Sequence, residues 1–329
     1  MLVYNPIIQT INLPCNYKVD ILCLDKLHEK ISGNKWFKLK YNLQKALEQH
    51  LDTIITFGGA YSNHIAATAG ACKLYNLKSV GIIRGEETVL NPTLIEAKEN
   101  GMQLEFVSRE LYSKKTDAAF INELKKTHGN YYLIPEGGNN IEGVLGCTEI
   151  IKQEWNYDYI LCACGTATTF SGIVSSVGAN TKVVGISVLK GEHKLPKDVK
   201  LFLENFKRYC DEGNNLALLK DGFYAKKAYL NDVKINGNDE LDKEIISQNC
   251  ITSNYSFNGY ANYYQPLIDF KMEFEKKYSI PLDYVYTNKL FFGAVDLMSK
   301  QKFKKNSKIL LIHSGGLQGN KGFEGRFKC

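Results

Sequence analysis

Short apolar runs alternate with helix-patterned segments along most of the chain. The runs LDTIITFG (51–58), SVGIIRG (79–85), MQLEFVS (102–108), YYLIPEGG (131–138), YDYILCACG (157–165), KVVGISV (182–188) and SKILLIHSGG (307–316) read as strands. Several are apolar throughout instead of at every second position, the pattern of parallel strands covered on both faces. Between them, SNHIAATAGACKLYN (62–76) reads as a helix. So does NPTLIEAKENG (91–101), with proline near its start and glycine at its end. Alternating strand and helix predict α/β architecture with right-handed crossovers. The stretch from about 190 to 260 departs from this rhythm: residues 191–215 are charged and helical in pattern, and 228–240 read as a strand and turn. No low-complexity linker and no internal repeat interrupts the chain. Two α/β lobes without a loose connector place a site in the cleft between them.

Composition narrows the picture. The 329 residues are 44% hydrophobic and 23% charged with net charge +6, and no arginine-rich block marks a nucleic-acid footprint. No apolar stretch reaches membrane-span length, and the first ten residues have no basic region or cleavage site of a signal peptide. Nine cysteines, an odd number at irregular spacing in a chain too large to need staples, point to reduced thiols and a cytoplasmic location. Cys162 and Cys164 are predicted on one face of a buried strand. His and Cys do not cluster, so no metal is expected.

Four strand ends carry glycine with small polar residues: FGGAYSNH (57–64), PEGGNNIEGVLG (135–146), CGTATTFSG (164–172) and HSGGLQGNKG (313–322). Parallel sheets bind ligands at such ends. The turn from Gly165 to Thr169 is read in two ways, as a phosphate cradle at a helix N-terminus or as an ordinary strand–helix turn capped by threonine. It is neither a P-loop nor a dinucleotide fingerprint. Ser62 and Asn63 read as helix caps, and His64 alone is more often structural. No acid neighbours it in sequence, which disfavours a Ser/His/Asp hydrolase. In SGNKWFKLKYNL (32–43), Leu39, Leu43, Ala46 and Leu47 form the apolar helix face, and periodicity permits Lys38 to be merely solvated.

A resemblance changes that weighing. GNKWFKL, GGAYSNH, PEGGNN, GTATTFSG, YTNKLFFG (286–293) and HSGG occur in the order, and at about the spacing, of a known family. The chain resembles the pyridoxal-phosphate enzymes that include 1-aminocyclopropane-1-carboxylate deaminase and D-cysteine desulfhydrase. The likeness covers almost the whole chain and is weakest between about 190 and 250. It implies the tryptophan synthase β-like fold (fold type II): two open, twisted, mainly parallel sheet domains with the cofactor, pyridoxal 5'-phosphate, in the cleft. The expected division is a large cofactor domain from 1–48 plus 156–329 and a small domain from 49–155. A homodimer and a small amino-acid substrate are also implied.

The resemblance implies roles as well. Lys38 would hold the cofactor as a Schiff base and act as the general base. Asn63 would bond the phenolic oxygen, and Gly165, Thr166, Ala167, Thr168 and Thr169 would hold the phosphate. Ser62 would bind the substrate carboxylate or assist proton transfer, with His64 beside it as in the desulfhydrase branch. Tyr286 and Tyr260 match two active-site tyrosines. Thr287, with Ser314 as a second hydroxyl, would stand against the ring nitrogen where ring-opening deaminases place an acid. A neutral hydroxyl leaves that nitrogen unprotonated, which suits β-elimination better than cyclopropane cleavage. The expected reaction is D-cysteine to pyruvate, sulfide and ammonia. The alternatives are the ring-opening deaminase, β-elimination or replacement on an L-amino acid, and a non-catalytic cofactor-binding protein. One departure stands out: the family often has arginine before the lysine, and here it is Phe37, expected to alter the cleft wall or a contact near the phosphate. The ring of Trp36 or of Phe37 is expected to help desolvate Lys38.

Overall fold

The computed structural model describes residues 4–86, 90–189, 194–212, 233–236, 246, 248–259, 262 and 264–323. The first two strands, β1 (Ile8–Leu13) and β2 (Tyr17–Cys23), form an antiparallel hairpin that the sequence reading overlooked. Its turn uses Cys15 and Asn16 in left-handed backbone, at φ 59° and 62°. Cysteine is a rare choice for that conformation, so the usual Asn-Gly or Asp-Gly turn signal is missing. Ile11, Leu13, Val19 and Ile21 alternate toward the core on one face.

Helix α1 (Lys35–Glu48) follows and leads into the smaller sheet. That sheet is built from β3 (Thr53–Gly59), β4 (Lys78–Arg84), β5 (Met102–Val107) and β6 (Tyr132–Ile134) in the order β5-β4-β3-β6, all parallel. Its helices are α2 (Asn63–Leu74), α3 (Pro92–Glu99), α4 (Arg109–Ser113) and α5 (Ala118–His128). The fully buried side chains of Ile54, Ile55, Ile65 and Ile83 fill both of its faces, which is why its strands lack polar alternation.

The chain then forms α6 (Ile141–Thr148), β7 (Tyr159–Cys164), α7 (Ala167–Ser176), β8 (Lys182–Ser187), α8 (Lys194–Asp211), β9 (Val233–Asn236) and β10 (Asn249–Thr252). It closes with α9 (Gln265–Tyr278), α10 (Thr287–Ser299) and β11 (Ile309–His313). The larger sheet runs β1-β2-β11-β7-β8-β10-β9, parallel from β2 onward. Phe291, Leu290, Leu297 and Met298 of α10 pack one face. Burying each is worth roughly 1.5–3 kcal/mol. On the other face, Phe170, Val144 and Phe202 come from α7, α6 and α8.

Cys162 and Cys164 both face the α7 side and Ala163 the opposite one, as the alternation predicts. All eight cysteines among the described residues are free, seven of them buried. Among the described residues no helix is long and apolar enough to cross a membrane.

Two expectations are corrected. Leu47, placed on the apolar face of α1, is 43% exposed, because it lies in the last turn of the helix, where the buried stripe has ended at Ala46. Helix α6 falls within the 49–155 segment assigned to the small domain, yet Val144, Leu145 and Cys147 pack in the core of the larger sheet. Helix α1 serves both lobes: Phe37 enters the larger core, while Leu39, Leu43 and Ala46 enter the smaller.

Candidate active site

Loops at the carboxyl ends of parallel strands from both sheets meet around the start of α1. Gly165 follows β7, Ser314 follows β11, Ser62 lies beyond β3 and Gly138 beyond β6. The start of α1 is docked on these loops through Gly33, at φ +72°. A side chain there would overlap the Ser314 carbonyl oxygen, which accepts from the Asn34 N–H at 3.1 Å. Only glycine permits both the backbone and the approach.

That docking sends Lys38 into the cleft. It is 3% exposed, and its Nζ donates to Thr166 Oγ1 at 3.1 Å. Gly138, at φ +67°, passes so close that an added Cβ would lie 3.0 Å from Lys38 Cβ. Burial pushes the Lys38 ammonium below its ordinary range. Lys35, one turn earlier on the same helix side, is pushed down to about 7, first by burial and then by Lys38. Neutral amines are the nucleophilic form, so the site favours a reactive lysine. Gly138 and Thr166 lie directly against the Lys38 side chain. Phe37 is fully buried on the opposite side of α1, edge-on to Tyr4 at 4.9 Å, and Trp36 stacks on His28. The expectation that Phe37 shapes the cleft is therefore corrected: successive helix residues point about 100° apart, so a neighbour of Lys38 faces the core.

Beside Lys38 lies the N-terminus of α7. Thr166 occupies the cap position with extended backbone, but its side chain makes no capping bond, so no side chain caps the first N–H groups, from Ala167 to Thr169. The hydroxyls converge instead. Thr166 and Thr168 lie 3.3 Å apart, Thr168 donates to Asn139 Oδ1 at 2.7 Å, and Asn34 Nδ2 donates to Thr169 Oγ1 at 2.9 Å. Gly165 lets the Tyr286 ring close over it, with Cε1 2.8 Å from where a Cβ would stand. The Thr168 proton is spent on Asn139, so the uncapped amides, the helix dipole and the hydroxyls of Thr166 and Thr169 are the groups that can donate to a phosphate here.

Ser62 caps α2, accepting from the N–H groups of His64 and Ile65 at 3.3 and 3.4 Å. Asn63 starts the helix, with a buried Oδ1 that has no hydrogen-bond partner among the described residues. Its amide adjoins Gly316, where a Cβ would lie 2.6 Å from Asn63 Nδ2 and 3.3 Å from the Asp283 carboxyl carbon. His64 turns into the small sheet. Thr56 Oγ1 gives its one proton to the Ile134 carbonyl at 2.8 Å, so at 2.8 Å from His64 Nε2 it must accept. The ring is thus the Nε2–H tautomer with Nδ1 bare and buried, and burial with the nearby Lys35 and Lys38 keeps it neutral.

Thr287 opens α10, fully buried. Its hydroxyl donates to Asp283 Oδ1 at 2.7 Å and accepts from the Asp283 N–H at 2.8 Å. Asp283 also accepts from the N–H groups of Thr287, Val285 and Tyr286 at 2.7–2.8 Å. The Thr287 proton is therefore committed to a carboxylate. Ser314 is half-buried at the end of β11, and Tyr260 lies outside the described residues. Lys38, Gly165, Thr166, Thr168, Thr169 and Tyr286 form one contact group; Asn63, Gly316, Asp283 and Thr287 form the adjoining one. The residues that sequence reasoning missed are Asn34, Asn139 and Asp283. Asn139 sat in a glycine-rich turn already singled out, and Asp283 four residues before Thr287 is the spacing of a side-chain helix cap.

The donors at α7, the buried lysine beside them with its lowered pKa, and the nearby Asn63 amide fit pyridoxal 5'-phosphate, with its phosphate, aldehyde and phenolic oxygen. Comparison with known proteins agrees. The model of the family described as pyridoxal-phosphate dependent enzyme matches residues 3–202. The Arabidopsis thaliana bifunctional D-cysteine desulfhydrase/1-aminocyclopropane-1-carboxylate deaminase, mitochondrial, is 31% identical over 315 residues, covering 88% of this chain and 70% of that protein. The crystal structure of an ACC deaminase homologue shares 25% identity at TM-score 0.78, covering 99% of this chain and 93% of the other. A hydrogen sulfide-producing enzyme from Fusobacterium nucleatum shares the fold at TM-score 0.62 and 16% identity, covering 97% of this chain and 96% of its own. With its buried Lys38 and its two mainly parallel sheets, this chain belongs to the pyridoxal-phosphate dependent enzyme family, in the fold type II architecture.

Proposed function

We propose that this enzyme eliminates the β-substituent of a small amino acid, and that D-cysteine is its substrate, converted with water to pyruvate, sulfide and ammonia. The observation that carries the reading is the Lys38 amine, buried, driven toward its neutral form and held by Thr166 at the mouth of the phosphate cradle. Pyridoxal phosphate bound there supplies an electron sink for the charge left at the α-carbon. Lys38 takes the α-proton, which a neutral amine in a water-poor cleft can do and an ammonium cannot. Gly165 and the residues from Thr166 to Thr169 fix the phosphate end, and Asn63 bonds the phenolic oxygen. Ser62, at the dipole end of α2, receives the substrate carboxylate, with His64 beside it. The Tyr286 ring, packed on Gly165, forms the opposing wall. Thr287 and Ser314 are assigned to the ring nitrogen, with Tyr260 as a second tyrosine of the site.

A second reading has its own observation. Asp283 stands directly behind Thr287 and draws the hydroxyl proton to itself, leaving a lone pair for the ring nitrogen. A lone pair favours a protonated nitrogen, hence a deeper sink and ring opening of 1-aminocyclopropane-1-carboxylate, an activity that the Arabidopsis relative's name also carries. The reduced thiols support a cytoplasmic enzyme, and the resemblance supports a homodimer, which sedimentation equilibrium would read.

Cofactor-loaded protein should be given D-cysteine and L-cysteine in parallel, with sulfide and pyruvate both measured. Equal release from the D-form alone supports the first reading. Production of 2-oxobutanoate from the cyclopropane compound, without sulfide from cysteine, selects the second. A loaded protein that turns over none of the three refutes both.

A further inference from the structure

Lys289 is fully buried on the first turn of α10, and none of its hydrogen bonds goes to a carboxylate. Its Nζ donates to three backbone carbonyls instead: Val188 at 3.0 Å, Ser256 at 2.7 Å and Gly259 at 2.6 Å. These oxygens come from two separate segments, the residue just past the end of β8 and the turn that follows β10. The turn is unusual. Phe257, Asn258 and Gly259 have successive φ values of 47°, 61° and 108°, and the Gly259 N–H returns to the Ser256 carbonyl at 2.9 Å. Left-handed backbone at Phe257 is disfavoured for an L-residue and persists only where the surroundings impose it. Converging carbonyl dipoles repel one another unless a cation sits among them. The three hydrogens of an ammonium match three acceptors one to one.

Val188 connects this arrangement to the cofactor site. Its N–H donates to the Cys164 carbonyl at 3.0 Å, and its Cγ2 lies 3.7 Å from where a Gly165 Cβ would stand, on the same side as the Tyr286 ring. Whatever fixes Val188 therefore fixes the surface on which Gly165 and Tyr286 rest. We propose that Lys289 is a positioning residue acting as an internal monovalent cation. It gathers the Val188, Ser256 and Gly259 carbonyls and so holds the 256–259 turn and the end of β8 in register with the phosphate cradle. Burial lowers the Lys289 ammonium to about 8, with Asp283 opposing, so the side chain is still mostly a cation at neutral pH. The proposal rests on the Lys38 cleft being the cofactor site, but not on which amino acid is the substrate.

The test uses full-length Lys289→Ala and Lys289→Gln with cofactor affinity as the readout, measured by titrating the visible absorbance of the bound cofactor. Lys289→Ala is expected to weaken affinity about tenfold to a hundredfold, the loss of a charged hydrogen-bond donor. In cofactor-free protein, where a primary amine has no cofactor aldehyde to condense with, methylammonium chloride should saturably restore the thermal stability lost in Lys289→Ala. Tetramethylammonium chloride at equal ionic strength, with no N–H to donate, should not. Lys289→Gln, whose amide supplies two donors without charge, should fall between. Hydrogen exchange should quicken in residues 254–259 of the alanine protein and slow again with methylammonium. If Lys289→Ala is recovered folded only when expressed or refolded with methylammonium, the proposal stands. Equal response to both salts, cofactor affinity unchanged in both variants, or two variants that fail to fold with or without methylammonium would each overturn it. Wild-type protein that binds cofactor but releases no sulfide would instead sink the assignment of the reaction and leave this test intact.

Discussion

Replacing Asp283 by asparagine tests how the start of α10 is held. The Asp283 carboxylate accepts four bonds, from the N–H groups of Val285, Tyr286 and Thr287 and from the Thr287 hydroxyl, and the residue is 2% exposed. An asparagine keeps one oxygen. If its NH2 faces the Val285 and Tyr286 amides, two buried backbone donors lose their acceptor. If it faces Thr287, one donor is lost and the hydroxyl must rotate. Each buried donor left unsatisfied costs about 1–3 kcal/mol. Removing a negative charge from a helix N-terminus costs about 0.3–1 kcal/mol more. The second arrangement is the cheaper one and gives a loss of about 1–4 kcal/mol, readable by urea denaturation of cofactor-free protein. Thr287→Val, which removes only the hydroxyl, should cost about 1–2 kcal/mol. A functional signature accompanies the loss: in the asparagine protein the Thr287 proton is released from its carboxylate and can turn toward the cleft. The preference between cysteine and the cyclopropane substrate should then shift toward cysteine. A stability change below about 0.5 kcal/mol, the range of ordinary surface substitutions, with an unchanged substrate preference would refute the account of Asp283 as the anchor of Thr287.

Three further outcomes are expected. Lys38→Ala should abolish both turnover and the visible absorbance of bound cofactor while far-ultraviolet circular dichroism stays unchanged; retained turnover would remove Lys38 from the mechanism. Phe37→Arg, which introduces the residue common in the family, would bury a guanidinium in an apolar core and should cost about 3 kcal/mol or more. Unchanged thermal stability would mean that Phe37 faces the cleft after all. Lys35 binds a proton more weakly folded than unfolded, so between pH 7 and 8.5 the unfolded chain holds the extra proton and stability rises with pH. Against Lys35→Met, the cofactor-free wild type should gain up to about 1.4 kcal/mol per pH unit across that window, less whatever solvent screens at this half-buried amine. A parallel pH dependence of the two proteins would exclude the shift.

The parallel sheets were legible in the chain because strands covered on both faces must be apolar throughout, and no other common arrangement asks for that. The glycine-rich strand ends were legible for a similar reason, since close backbone approach removes side chains at fixed points. By periodicity alone Lys38 read as an ordinary surface lysine, and only the family resemblance singled it out. What the sequence could not carry was anything that depends on two distant segments meeting. The hairpin of β1 and β2 turns on a cysteine in left-handed backbone, which no local preference announces. The side of α1 that faces the cleft was decided by Gly33 seating on Ser314, 281 positions away in sequence. That seating separates Lys38, which faces Thr166, from Phe37 in the core, although adjacency had placed both at the cleft. Asp283 and Lys289 owe their importance to the direction in which their polar atoms point. Hydrogen bonds are short and directional, so the composition of a segment says which groups need partners, and only the packed structure says which partners they find.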